Sequence, residues 1–112
     1  MFGNQAIGGN AGSYGIPGNA YGGGLYVSSG TVTLCTDTVE SNSVTPGQGF
    51  GSGQGFGGGI YIVPGATVYI DVSSVDPLDP TVVTNNTDSS GTSTTPYSST
   101  ANIDGTYIAQ NC

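Results

Sequence analysis

The chain of 112 residues contains no lysine, no arginine and no histidine. Its charged side chains are seven carboxylates, Asp37, Glu40, Asp71, Asp76, Asp79, Asp88 and Asp104, and its formal net charge is −7. A polyanion without a single cation cannot neutralise phosphates, so nucleic acid is excluded as a partner and an anionic membrane surface repels the chain. Without histidine or lysine there is no Ser/His/Asp triad, no Walker lysine and no Schiff base. Long apolar runs are also missing. The stretch "GIYIVPGATVYI" is broken by Pro64 and Gly65 and falls well short of the roughly 20 residues a membrane helix needs, so membrane insertion is not expected. The amino-terminal "MFGNQAIGGNAG" has neither a basic leader nor an apolar core of a signal peptide, which places any export signal outside these residues.

Two cysteines, Cys35 and Cys112, lie in a chain rich in serine, threonine, glycine and asparagine. That combination points to an oxidising compartment, and an extracellular or cell-surface location is expected. With no histidine and a wide separation, the pair does not form a zinc site, which leaves a disulfide or free thiols. The two occupy different positions in the repeat described next, which favours a bridge between subunits over one within the chain. "GQGFGG" from Gly53 formally satisfies G-x-G-x-x-G, but no helix follows it and a glycine-rich tract matches that pattern by accident.

The chain repeats itself. "YGGGLYVSSGTVTLC", from Tyr21, lies over "FGGGIYIVPGATVYID", from Phe56, at an offset of 35 residues. Leu25 then falls on Ile60, Tyr26 on Tyr61 and Val27 on Ile62; after one inserted residue, Ala66, Val32 falls on Val68 and Leu34 on Ile70. A weaker copy, "IDGTYIAQNC", has Gly105, Thr106, Tyr107 and Ile108 echoing the "GIYI" step. Apolar residues alternate within each copy and β-branched residues dominate, which reads as strands, while glycine and proline mark the bends between them. The expected fold is all-β: a short parallel β-helix, or β-solenoid, of about three turns with glycine-rich extended loops. Residues 1–20 are expected to form a glycine-rich arm or cap and residues 21–112 the β-helix module. In such a stack equivalent residues of successive turns become neighbours. The core stack would pair Leu25 with Ile60, Val27 with Ile62, Val32 with Val68 and Leu34 with Ile70, and Tyr26, Tyr61 and Tyr107 would form an outward aromatic ladder.

The pattern G-G-G-[LI]-Y-[VI], then a glycine turn, T-V-x-[LI] and a Val-x-x-Asn step in "TVESNSV" (Val39, Asn42), resembles the repeats of bacterial surface β-helix proteins of the polymorphic outer-membrane-protein and autotransporter-passenger type. The tail "NNTDSSG" with "STANIDGTYI" is similar to the closing module of such proteins. The resemblance covers residues 21–112 and implies a right-handed coil. The offset of 35 residues exceeds a plain turn of that family, and residues 2–20 match none of its rungs.

The excess length falls in the loop at 45–57. Eight of the thirteen residues from 47 to 59 are glycine. If extended, Gly47, Gly49, Gly51, Gly53 and Gly55 present a bare face that another backbone can approach, opposite Gln48, Phe50, Ser52, Gln54 and Phe56. Such a tract is either a flexible loop or an arm packed against a neighbouring subunit.

Carboxylates are the remaining chemistry. Asp71, Asp76 and Asp79, in "YIDVSSVDPLDP", are close enough in sequence to share a calcium ion, and a pair among them would suit acid/base cleavage of polysaccharide. Pro77 and Pro80 mark the stretch as an ordinary turn region with solvated carboxylates, so no catalytic residue and no resident cofactor are expected. The sequence therefore points to a non-enzymatic structural module of an extracellular or cell-surface fibre, self-assembling by head-to-tail stacking of copies. The alternative is a carbohydrate-binding adhesin module, with Tyr26, Tyr61, Phe50 and Phe56 as platforms for glycans.

Overall fold

The computed structural model describes residues 1–12, 14–49 and 51–112, with the backbone but not the side chain of Ser52. The fold is all-β, built from short strands and one helical turn. The chain begins with β1 (Gln5–Ile7) and β2 (Ala20–Tyr21). A first pass follows through β3 (Leu25–Val27), β4 (Thr31–Leu34), β5 (Thr38–Glu40) and β6 (Ser43–Thr45). A small hairpin of β7 (Gln48–Gly49) and β8 (Gly51–Ser52) intervenes. The second pass comprises β9 (Gly55–Phe56), β10 (Ile60–Ile62), β11 (Thr67–Ile70), β12 (Val82–Thr84) and β13 (Asn86–Asp88). The chain closes with β14 (Gly91–Ser93), the turn α1 (Ser99–Asn102), β15 (Ile103–Asp104) and β16 (Ile108–Ala109).

Each strand of the second pass lies parallel on its counterpart in the first. The sheets run β15-β10-β3, β16-β11-β4, β12-β5 and β2-β9, and a fifth position is the sheet β1-β6-β13-β14, in which only β14 is antiparallel. Ile60 lies opposite Leu25, Tyr61 opposite Tyr26 and Ile62 opposite Val27. Val68 lies opposite Val32 and Ile70 opposite Leu34. Val27, Leu34, Ile60, Ile62, Val68 and Ile70 are buried in one core with Val39, Val83 and Ile103, whereas Leu25 and Val32 are only half-buried on its rim. Alternation explains the sorting: every second residue of a strand faces the interior, and β-branched residues suit the pleat.

The carboxy-terminal copy enters one step differently from its sequence alignment. Ile103 and Asp104 pair with Ile60 and Tyr61, and Ile108 with Tyr69. Asp104, not Tyr107, therefore follows Tyr61, and Tyr107 packs half-buried against the core.

A column of asparagines ties the passes together. Asn42 donates to Asn86 Oδ1 from its backbone N–H at 2.9 Å and from Nδ2 at 3.1 Å. Asn86 repeats the pattern onto Asn102 Oδ1, at 3.1 and 3.0 Å, and Asn4 makes it onto Asn42 Oδ1, at 2.8 and 3.0 Å. Asn42, Asn86 and Asn102 are fully buried. Each carbonyl thus receives two donors, which fills its two lone pairs. The corner before each asparagine is a single left-handed residue, Ser41 (φ 56°) and Asn85 (φ 55°).

The glycine triplets are shaped by that column. Gly22 and Gly57 take positive φ, 60° and 64°. Gly24 and Gly59 abut the amides of Asn42 and Asn86, where a β-carbon would come within 2.9 and 2.6 Å of Nδ2. The glycine tract at 47–55 packs against residues 8–19 of its own chain. Gly47 N donates to Gly18 O at 2.9 Å and Ala11 N to Gln48 O at 2.7 Å, and a β-carbon on Gly47 would collide with the Gly9 carbonyl.

Replacing Asn86 strands buried donors above it and a buried acceptor below it. Asn86→Ala is expected to lower the unfolding free energy by about 3 kcal/mol or more, whereas exposed Asn4→Ala costs about 1 kcal/mol or less; urea denaturation followed by circular dichroism checks the contrast.

Candidate functional site

Four aromatic side chains gather on the outer surface of the β2-β9 and β3-β10 pairs. Because Leu25, Val27, Ile60 and Ile62 face in, the residues between them face out. Tyr26 and Tyr61 stack with ring centroids 5.6 Å apart and an interplanar angle of 7°. Tyr21 and Phe56, opposite each other in β2 and β9, stack at 5.5 Å and 19°. The two stacks adjoin: Tyr21 is 4.9 Å from Tyr61 and 6.2 Å from Tyr26. Tyr26 is 50 % exposed and Tyr21 36 %. Phe50, expected as a further platform, lies outside the described residues.

A shallow cleft of about 300 Å³ borders this face, lined by Gln54, Phe56, Asp88, Ser89, Ser90 and Thr100. Asp88 is its buried anchor. Its Oδ1 accepts from Ser90 N–H at 2.7 Å and Ser90 Oγ at 2.5 Å, and its Oδ2 from Thr100 Oγ1 at 2.9 Å. Ser89 Oγ accepts from Gly55 N–H at 2.7 Å. Burial, and then the negative charge of Asp88, raise the pKa of Asp104. Burial, and then Asp104 and the neighbouring Tyr21 and Tyr26, raise that of Tyr61.

The three aspartates at 71–79 do not converge. Asp71 is fully buried and its oxygens accept from Thr36 N–H and Thr81 N–H, each at 3.0 Å. Asp76 accepts from Asp79 N–H at 3.4 Å, and Asp79 faces the Thr36 hydroxyl at 3.5 Å. Among the described residues no three carboxylates or cysteines gather as a metal site. Burial alone would raise the Asp71 pKa, but hydrogen bonds from the Thr81 side chain and from the backbone of Thr36, Thr81 and Asp71 itself outweigh it and hold the pKa below the ordinary value.

Cys35 and Cys112 are bonded to each other within the chain, which corrects the expectation of a bridge between subunits. The two cysteines meet despite their different positions in the repeat because the carboxy-terminal copy joins β11 through Ile108 and Ala109, which brings the end of the chain back to Cys35. A disulfide suits an extracellular location, and no helix among the described residues is long and apolar enough to cross a membrane.

The asparagine column was the element least visible beforehand. Its signal is Val-x-x-Asn twice, Val39 to Asn42 and Val83 to Asn86, at an offset of 44 instead of 35 because Ala66 and then eight more residues between Ile70 and Val82 are inserted. Comparison with known proteins adds no match: no family model fits the chain, and no curated protein or solved structure is similar to it.

The disulfide closes a span of 77 residues, for which chain-entropy reasoning gives about 4.5 kcal/mol. Reduction, or Cys35→Ser with Cys112→Ser, is expected to lower stability by roughly that amount, read as a shift in the denaturation midpoint. The two shifted aspartates act in opposite directions. Asp71, with its pKa lowered on folding, contributes stability that is fully present above its unfolded value near 3.9 and is lost as pH falls through the lower folded value. Asp104, with its pKa raised, contributes stability below the unfolded value that is lost as pH rises through the folded one. Asp104→Asn is therefore expected to raise the thermal midpoint at pH 7 and leave it nearly unchanged at pH 3, as scanning calorimetry will show.

Proposed function

We propose that the chain is a short right-handed parallel β-helix serving as a non-enzymatic structural module of an extracellular or cell-surface fibre, in which copies stack head to tail. The observation that carries this reading is that two sheets, β15-β10-β3 and β16-β11-β4, end at both sides in strands with no further partner among the described residues. The middle strand pairs on both of its edges in the same parallel sense, so β15 and β16 of one copy suit β3 and β4 of the next. The right-handed sense rests on the resemblance to bacterial surface repeats and on the preference of L-residues for right-handed crossover connections.

The shape favours stacking through broad ends. Layers about 4.8 Å apart suit the shortest extent of the 51 × 27 × 18 Å molecule. Its accessible surface of 5713 Å² is close to that of an ordinary compact monomer of this mass. Residues 1–7 stand in the way of one part of the contact. They occupy the layer beyond β5 and β6 through Gly3 N–H to Glu40 O and the β1-β6 pairing, which is the layer β14 of an incoming copy requires. Assembly in this register displaces that segment. The non-enzymatic reading is supported by the carboxylates: those buried, Asp71 and Asp88, have both oxygens engaged by N–H and O–H donors.

Electron microscopy of concentrated protein at high salt is expected to show threads with an axial repeat of about 4.8 Å, and removal of residues 1–7 to make them longer. Ile108→Lys, which puts a charge on the β16 edge, should abolish them. Single dispersed particles at every concentration, with or without residues 1–7, would overturn the reading.

A further inference from the structure

We propose that the exposed aromatic face and the cleft beside Phe56 form a binding site for neutral oligosaccharides. This goes beyond the stacking reading and does not depend on it, since the rings point outward from the sheets whereas the proposed stacking uses strand edges.

Two kinds of surface meet at this place. Tyr21, Tyr26, Phe56 and Tyr61 make a continuous patch of rings, in which five pairs have centroids between 4.9 and 6.4 Å apart. One side of Tyr26 is covered by the parallel ring of Tyr61, and half of its surface remains open to solvent. An aromatic ring offers an apolar plate to a flat partner, and the C–H face of a pyranose is such a partner. The cleft supplies what the sugar's edge needs. Asp88 accepts the protons of Ser90 Oγ and Thr100 Oγ1, which turns the remaining lone pairs of both hydroxyls into oriented acceptors. Ser89 Oγ accepts from Gly55 N–H, which leaves its own proton to donate. Gln54 adds an amide with both donor and acceptor. A few oriented polar groups beside an apolar wall are the composition of a small-ligand site.

Charge decides which sugars fit. The chain carries seven side-chain carboxylates and no side-chain cation, with Asp88 in the cleft and Asp104 close enough to Tyr61 to raise its pKa. Uronates, sialic acids and sulfated sugars are repelled there and find no positive partner, which leaves neutral glycans.

The test titrates the full oxidised chain, as a monomer, with cellotetraose, the tetramer of N-acetylglucosamine, an α-linked mannotetraose and, as the acidic counterpart, tetragalacturonate, read by calorimetry and tyrosine fluorescence. At least one neutral tetramer is expected to saturate with a Kd near or below about 1 mM, and the galacturonate to bind at least tenfold more weakly. Tyr26→Ala and Phe56→Ala should each weaken binding about tenfold, the worth of one stacked ring, while Tyr26→Phe, which keeps the ring, should bind within about twofold of the original. Thr100→Val probes the cleft separately and should weaken the same ligand. The proposal is overturned if no neutral tetramer saturates, if the acidic one binds as well, or if variants that still unfold cooperatively leave affinity unchanged.

Discussion

The column of asparagines is the constraint on which the rest of the molecule depends. A buried amide has two donors and two lone pairs to satisfy, and each one left unpaired costs on the order of 1–3 kcal/mol. Stacking asparagine on asparagine solves this only if successive passes align to within a fraction of an ångström, because Oδ1 of the next residue must receive both the backbone N–H and Nδ2 of the previous one. A slip of one residue leaves several buried groups unpaired together. The column therefore sets the register of every sheet, which the apolar core alone would fix less firmly, since Leu, Ile and Val tolerate exchange of place.

The glycine triplets follow from the same constraint. A chain that leaves one sheet and crosses the inner side of an asparagine amide has no room for a β-carbon at Gly24 or Gly59. The column also gives the molecule a direction. At the carboxy-terminal end it is closed, Asn102 Nδ2 being shared among the carbonyls of Ser93, Thr95 and Ser98 at 3.0–3.3 Å. Tyr107 covers the core there, and the disulfide fastens the chain end to Cys35. At the opposite end exposed Asn4 tops the column, Leu25 and Val32 are half-buried, and Phe2 and Ile7 are about 70 % exposed. The asymmetry locates the surface on which a further layer gains most, because apolar burial there is incomplete.

How much of this was legible in the sequence depended on whether a residue's partner lay at a constant offset. Tyr26 and Tyr61, or Val27 and Ile62, differ by the same 35 positions as the glycine triplets before them, so self-comparison finds them directly. Asn42 and Asn86 are separated by an inserted loop, and Asn102 follows a hairpin and a helical turn, so no single period connects the three. Tyr107 looked like Tyr61 because each lies two residues after a glycine and just before an isoleucine, yet local likeness is weaker than the pairing of Ile103 with Ile60, which buries an apolar side chain. The glycine tract at 47–55 was legible as a surface that admits another backbone. Which backbone it admits was not, since residues 8–19 carry no repeat signal of their own.

Charge gives the remaining step. Two carboxylates, Asp71 and Asp88, are ionisable and buried in a chain with no side-chain cation to pair them, and the structure meets them with neutral donors: threonine and serine hydroxyls and backbone N–H groups. Hydrogen bonds to the charged form can hold a carboxylate ionised without a counter-charge, at the cost of fixing every donor in place. The corners at Thr36 and Thr81 and the hairpin at Ser90 each supply such a donor. Copies of such a molecule repel one another through the unpaired charge at their surfaces, an effect that ionic strength screens over about 8–10 Å. In the proposed stack, ends that meet at one β-layer's spacing would lie well inside that distance, so salt would govern its formation as much as the apolar area that the ends cover.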